Sequence, residues 1–237
     1  MTERDYNMLF NIVVPVMRVR ATSDDTVRNE GFAGTAFMLK HAKGQAEGVA
    51  VTARHVAEQL TPGEAAVLFR GTDGSWQPAA VQGIESHPTQ DVALLRLEPG
   101  TYVAHCVLSR REEHASLQYM LWGYPAAVLY ESVSDDGIAL QRPDLIYSEG
   151  HVRRRISDRL PGIHGSRFFE LSTPAGPGCS GAPIVARSQG HLGGSDWQVV
   201  GVYVGERRSQ PGDLFVGYGV RIADIDQDAE SWSALFA

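Results

Sequence analysis

Short apolar runs, separated by clusters of glycine, proline and aspartate, recur along all 237 residues of the chain. The runs are rich in valine, isoleucine, leucine and aromatic residues, and most are too short to form an amphipathic helix. This spacing predicts an all-β sandwich or barrel. Examples of the predicted strands are residues 12–19, 34–39, 48–52, 65–69, 91–97, 119–123, 199–204 and 215–222.

Helical patterning is confined to two places in the sequence. One is about a turn at residues 55–60, and the other is the tail at residues 225–235, where Asp226 is a candidate N-cap. No repeat of fixed period and no low-complexity tract interrupts the chain. The prediction is therefore a single β domain over residues 1–237, with two lobes (1–100 and 101–237) joined near residues 99–103.

Composition and charge exclude several classes of partner. A formal net charge of −7 gives no positive field for nucleic acid or an anionic membrane surface, so neither is expected as a partner. No stretch reaches the roughly 18 apolar residues that a membrane span needs, and the N-terminus lacks the pattern of a secretory signal. Cys106 and Cys179 are expected to be free thiols, which favours a reduced, cytoplasmic setting unless a leader has been removed. The scarcity of lysine relative to arginine suggests GC-rich coding and a bacterial source.

Three segments carry candidate catalytic residues at strand ends among small residues. They read Val51-Thr-Ala-Arg-His55-Val, Asp91-Val-Ala-Leu-Leu-Arg-Leu and Gly176-Pro-Gly-Cys-Ser180-Gly-Ala-Pro. A serine hydroxyl is a weak nucleophile, so acyl transfer by serine needs a base to accept its proton and a carboxylate to orient that base. His55, Asp91 and Ser180 supply these three functions.

The glycines around Ser180 suit a second requirement of acyl transfer. Backbone N–H donors stabilise a tetrahedral oxyanion, and only a tight turn of small residues brings two of them beside the nucleophile. Gly178 and Ser180 are the predicted oxyanion donors.

Together, the three segments resemble the motifs of the trypsin-like (chymotrypsin-fold) serine peptidases, in the order found in that family. Three further stretches resemble the same family: Gly34-Thr-Ala-Phe before the histidine, Trp122-Gly-Tyr-Pro in the second half, and Val200-Gly-Val near the pocket. The resemblance covers about residues 12–222. It implies two six-stranded antiparallel β-barrels with the active site between them, here followed by a short C-terminal helix. It also implies a serine endopeptidase that acts on a protein or peptide substrate.

Two departures from the digestive members of this family bear on regulation. Those members have an aspartate immediately before the serine, which pairs with a newly released N-terminus, but this chain has Cys179 there and no Ile-Val-Gly-Gly start. The pattern is therefore more similar to HtrA-type and other bacterial intracellular members. Control is expected to come from loop order or from a regulatory domain or partner protein, as in a module of a bacterial signalling or phage-defence system.

The predicted specificity pocket gives no single preference for the residue before the scissile bond. Its candidate lining residues are Pro174, Ala175, Val204, Gly205, Glu206, Gly219 and Arg221. If Arg221 points into the pocket, an acidic residue is favoured, and if Glu206 does, a basic one. If neither side chain points inward, a small apolar residue is favoured, and this alternative is ranked first. Val204 also stands where many family members have a serine or threonine that binds the triad aspartate.

No metal or cofactor is predicted. The other seven histidines show no spacing with cysteine or acid that is typical of a zinc site, and they are interpreted as structural or exposed. The alternative function is a pseudopeptidase, a binding module that keeps the fold but does not turn over substrate.

Overall fold

The structure, a computed structural model, describes residues 3–21, 27–40, 47–110, 115–126, 129–133, 139–187, 196–208, 215–227 and 229–236. Within these ranges, no helix has the length and apolar character needed to cross a membrane. The chain forms an N-terminal and a C-terminal β-barrel.

The N-terminal barrel is closed by six antiparallel strands. After helix α1 (Glu3–Ile12), they are β1 (Val13–Ala21), β2 (Val27–Met38), β3 (Glu47–Thr52), β4 (Ala65–Arg70), β5 (Trp76–Ser86) and β6 (Ala93–Pro99), with the short helix α2 (Arg54–Ala57) between β3 and β4. The strand order is β1-β2-β3-β6-β5-β4, and β4 pairs with β1 to close the barrel. Successive side chains of a strand point to opposite faces. Accordingly, the neighbouring residues Leu94 and Leu95 of β6 pack in two different hydrophobic clusters.

The C-terminal barrel contains most of the remaining strands. They are β7 (Cys106–Leu108), β8 (Gln118–Gly123), β9 (Leu129–Val133), β10 (Ala139–Pro143), β11 (Ile146–Ile156), β12 (Phe168–Leu171), β13 (Pro183–Ala186), β14 (Trp197–Arg208) and β15 (Phe215–Arg221). The sheet order is β13-β8-β11-β12-β15-β14-β7, and pairing of β13 with β14 closes six of these strands into a barrel. Strand β7 adds in parallel to β14, while β9 and β10 form a separate hairpin.

Residues of both barrels pack together in two hydrophobic clusters, and one of these lies where the candidate site is assembled. Val51 and Leu94 of the N-terminal barrel pack in the same buried cluster as Trp122 and Val202 of the C-terminal barrel. The segments that end β3, precede β6 and precede β13 all meet beside this junction.

The predicted fold class, two six-stranded antiparallel barrels, is confirmed, and the structure corrects two details of the helices. Helix α1 was not predicted, although Leu9 and Phe10 on its last turns are buried in the shared cluster. The predicted helix at residues 225–235 is instead two short 3-10 helices, Ile222–Asp224 and Glu230–Leu235. Ala229 is the N-cap of the second, so Asp226 is not an N-cap, and its carboxylate pairs with Arg110.

Candidate active site

His55 lies in helix α2, directly after the end of β3. Its backbone N–H donates to Asp91 Oδ1 over 3.0 Å, and its ring Nδ1 lies 2.8 Å from Asp91 Oδ2. The side chain of Asp91 is 3% exposed and that of His55 is 40% exposed. A buried carboxylate needs hydrogen-bond donors, so Nδ1–H is the donor to Asp91 in this pair. The solvent-exposed Nε2 is then left as a proton acceptor.

The turn that carries Asp91 is held by His87, which is fully buried. His87 Nε2 donates to the Ile225 carbonyl over 2.6 Å, and its Nδ1 accepts the backbone N–H of Gln90 over 3.0 Å. The ring also contacts Trp232 edge to face at 5.0 Å. His87 thus ties the C-terminal segment to the turn beside Asp91, which agrees with its interpretation as a structural histidine.

The turn around Ser180 is folded by two glycines with positive φ. Gly178 has φ +93° and Gly181 φ +94°. A Cβ at Gly178 would lie 2.5 Å from Ala126 N, and one at Gly181 would lie 1.9 Å from Thr35 O. Only glycine fits both the backbone conformation and the space at these positions.

The same turn orients the predicted oxyanion donors. The Pro177 carbonyl accepts the Ala126 N–H over 2.7 Å. Because N–H and C=O point in opposite directions across a trans peptide, the Gly178 N–H points away from Ala126. Within the described part of the chain, neither the Gly178 N–H nor the Ser180 N–H donates to a protein acceptor. Both amides are therefore available to a ligand oxygen.

Thr35 and Thr52 join this turn to the N-terminal barrel, a role that the sequence analysis missed. The Thr35 hydroxyl donates to the Gly178 carbonyl over 2.9 Å and accepts the Tyr124 N–H over 3.0 Å. The Thr35 N–H donates to the Ser180 carbonyl over 2.9 Å, and the Thr52 hydroxyl donates to Thr35 O over 2.6 Å. Both threonines are fully buried. The Gly34-Thr-Ala-Phe stretch drew attention to this segment through its resemblance to the family, but it did not predict the contacts of Thr35 with the Ser180 turn.

The His55–Asp91 pair and the Ser180 turn are not yet joined by a hydrogen bond. Among the described residues, the Ser180 hydroxyl forms none with His55. Catalytic hydrogen bonds are often long or poorly aligned without substrate and tighten in the complex. Ser180 is nevertheless held against the N-terminal barrel that carries His55, through its carbonyl and Thr35.

The predicted pocket residues separate into two groups. Ala175 and Glu206 lie together with Tyr203: the Tyr203 hydroxyl accepts the Ala175 N–H over 3.0 Å and donates to Glu206 Oε2 over 3.2 Å. Val204 instead packs in a second cluster, which contains Val56 of the N-terminal barrel and Tyr218 of the C-terminal barrel. Tyr203 was not predicted to contribute to the pocket.

The other predicted pocket residues have different surroundings. Arg221 is buried, with its guanidinium 2.6 Å from Asp224 Oδ2 and 3.3 Å from Ser157 Oγ, so this cation is already paired. Pro174 and Gly205 are half-buried. A Cβ at Gly219 would lie 2.1 Å from Ile184 Cδ1, so Gly219 faces the packed interior of the C-terminal barrel.

Both cysteines are buried and unpaired, as predicted. Cys179 Sγ donates to the Ala175 carbonyl over 3.1 Å, and burial raises the pKa of this thiol to about 12. Burial also raises the pKa of the Cys106 thiol strongly. Among the described residues, no three histidine, cysteine or acidic side chains are grouped as metal ligands would be.

The family follows from the sequence: residues 34–194 match the model of the trypsin-like peptidase domain. The chain belongs to the trypsin-like peptidases. Membership makes it a serine endopeptidase by class, as the motifs predicted. No curated protein matches the chain.

Solved structures share the fold at low sequence identity. The HtrA-type protease AlgW with a decapeptide has a TM-score of 0.61 and 15% identity, covering 98% of this chain and 67% of that one. A serine-to-alanine variant of AlgW with a decapeptide gives a TM-score of 0.60 and 15% identity, covering 97% of this chain and 66% of AlgW. An inactive serine-to-alanine mutant of Rv3671c from M. tuberculosis H37Rv gives a TM-score of 0.58 and 16% identity, covering 94% of this chain and 87% of that one. The chain thus spans about two thirds of the AlgW chains.

Proposed function

We propose that the chain hydrolyses peptide bonds in protein or peptide substrates with Ser180 as nucleophile. His55 accepts the Ser180 proton through Nε2 and later donates it to the leaving amine, while Asp91 holds the imidazole in that tautomer. The N–H groups of Gly178 and Ser180 bind the oxyanion of the tetrahedral intermediate. The reaction needs no metal or cofactor.

The observation that carries this proposal is the pairing of a buried carboxylate with His55 beside two unpaired amides. Both Asp91 oxygens accept hydrogen bonds from His55, over 3.0 and 2.8 Å. Asp91 therefore holds His55 at two points, the backbone N–H and the ring Nδ1. The Pro177 carbonyl is turned toward Ala126, which is the peptide orientation that leaves the Gly178 N–H free for an oxyanion.

Hydrolysis of an unfolded protein substrate tests the proposal. Wild type should cleave casein, and Ser180→Ala should reduce kcat by about 10⁶, the loss seen when a subtilisin nucleophile is removed. Ser86→Ala, at an exposed serine, is the matched control and should retain full activity. Equal activity of wild type and Ser180→Ala would contradict the assignment. A folded wild type without turnover would favour the pseudopeptidase.

We further propose that this peptidase is a regulated module acting in a reduced, bacterial cytoplasm, within a signalling or phage-defence system. Two buried free thiols support the reduced setting. Cys179 occupies the place of the zymogen aspartate, which supports control by a partner or attached domain. The test is to express the tagged chain in bacteria with and without phage challenge and to compare cleaved proteins between wild type and Ser180→Ala. Identical cleavage patterns under challenge would contradict this role.

A further inference from the structure

Tyr203 occupies the interior of the C-terminal barrel next to the nucleophile turn. Its side chain is fully buried and packs in the same cluster as Leu171 and Cys179. A Cβ at Gly217 would lie 2.9 Å from Tyr203 Cε2, so the ring lies directly over this glycine of β15. The tyrosine hydroxyl reaches Ala175 N, in the segment that leads to Ser180. The ring therefore extends from β14 across the space between β15 and that segment.

Glu206, three residues after Tyr203 on β14, contacts the same segment. Its Oε2 accepts the Gly176 N–H over 2.9 Å as well as the Tyr203 hydroxyl. This carboxylate thus joins strand β14 to the segment before the nucleophile. Both donors bind Oε2, so these two hydrogen bonds fix the position of the carboxylate beside the segment.

The same contacts hold the segment that presents the oxyanion donors. Ala175 is fixed at its N–H by Tyr203 and at its carbonyl by the Cys179 thiol, and Gly176 is fixed at its N–H by Glu206. The next two residues are Pro177 and Gly178. The position of the Tyr203 side chain and the position of the Gly178 N–H therefore depend on the same hydrogen-bonded network.

We propose that Tyr203 and Glu206 determine the substrate class of this peptidase, by filling the pocket for the side chain before the scissile bond (P1). Only glycine, alanine or serine fits at P1, because the tyrosine ring takes the volume that a larger side chain would need. Aromatic, long aliphatic and basic P1 residues are excluded. This inference rests on the proposed function of Ser180, and it makes Tyr203 and Glu206 specificity-determining residues.

A fluorogenic peptide series that differs only at P1 tests the inference. Wild type should cleave alanine at P1 at least 100-fold faster, in kcat/KM, than phenylalanine, leucine or arginine. Tyr203→Val, which removes the ring in a residue suited to a strand, should reduce the preference for alanine over phenylalanine at least tenfold. Tyr203→Phe keeps the ring and should retain that preference within threefold. Its kcat should fall for every substrate, because Ala175 N–H loses its acceptor.

Several outcomes would overturn the inference. One is a preference of the wild type for a large or basic P1 residue. This measurement requires no variant. Another is an unchanged preference in Tyr203→Val, or in Tyr203→Leu if the valine variant does not fold. A third is loss of the preference in Tyr203→Phe.

Labelling with diisopropyl fluorophosphate separates this inference from the proposed function. A chain that is labelled at Ser180 but shows no preference for small P1 residues contradicts the pocket assignment alone. A folded chain that is neither labelled nor active contradicts the proposed function, and the pocket inference with it. Ser86→Ala, at an exposed serine outside the site, should be labelled like wild type and keep its P1 preference.

Discussion

Replacing Thr35 by valine tests whether the N-terminal barrel holds the oxyanion turn. Valine keeps the shape of threonine but removes the hydroxyl, which donates to the Gly178 carbonyl and accepts the Tyr124 N–H. Both groups would lose a buried partner, and each such loss costs about 1–3 kcal/mol. We expect a loss of roughly 2–6 kcal/mol in the free energy of unfolding, or about 4–24 °C in Tm for a chain of this size.

Activity should fall more than stability alone explains. The Gly178 N–H is a proposed oxyanion donor, and loss of one such donor typically lowers kcat about 10²–10³-fold. We expect Thr35→Val to lower kcat at least tenfold at a temperature where the variant is fully folded, with KM little changed.

Urea unfolding and steady-state peptide hydrolysis of three variants check this prediction. Thr35→Ser keeps the hydroxyl and should restore most of the activity. Thr52→Val removes the bond to Thr35 O, one step further from Gly178, and should cost stability with a smaller loss of kcat. Wild-type kcat in folded Thr35→Val would contradict the role given to the Thr35 hydroxyl, as would equal kcat losses in Thr35→Val and Thr35→Ser.

Three further predictions concern other parts of the site. Asp91→Asn should lower kcat/KM about 10⁴-fold in peptide hydrolysis, because the amide stabilises the wrong imidazole tautomer; a loss under tenfold would contradict the role of Asp91. Gly181→Ala should be far less stable to urea than Gly63→Ala. Both glycines have positive φ, but a Cβ at Gly181 would meet Thr35 O at 1.9 Å, whereas nothing lies within 4 Å of one at Gly63. Both thiols should resist iodoacetamide at pH 8 in the native protein and react after unfolding, because burial raises the pKa of both, that of Cys179 to about 12. Rapid native alkylation, measured by intact mass, would contradict the burial of these cysteines.

The apolar pattern predicted strands along the chain, but its examples leave out both exposed strands and the short buried strands β12 and β13. The strand at residues 91–97 was visible because both of its faces are buried, one in each hydrophobic cluster. Strand β11 was missed because, of its eleven residues, only Val152 is buried, so no apolar period marks it. Helix α1 was missed because a short helix stabilised by packing against a distant cluster leaves little local signal.

The candidate site was predicted residue by residue but not as a connected structure. His55, Asp91 and Ser180 stand in recognisable local motifs. The supporting contacts join residues far apart in the chain, such as Thr35 and Gly178 at a separation of 143 positions. Tyr203 was missed for a related reason: an aromatic residue in an apolar strand is typical of a core position, and only its hydroxyl contacts with Ala175 and Glu206 reveal its place in the pocket.

The site of covalent labelling by diisopropyl fluorophosphate tests the role of Ser180 most directly. We expect one adduct per chain, mapped by peptide mass spectrometry to Ser180, absent from Ser180→Ala and formed much more slowly in Asp91→Asn. The matched control Ser86→Ala should be labelled like wild type. An adduct at another residue, or labelling that persists in Ser180→Ala, would contradict the assignment of Ser180 as the nucleophile.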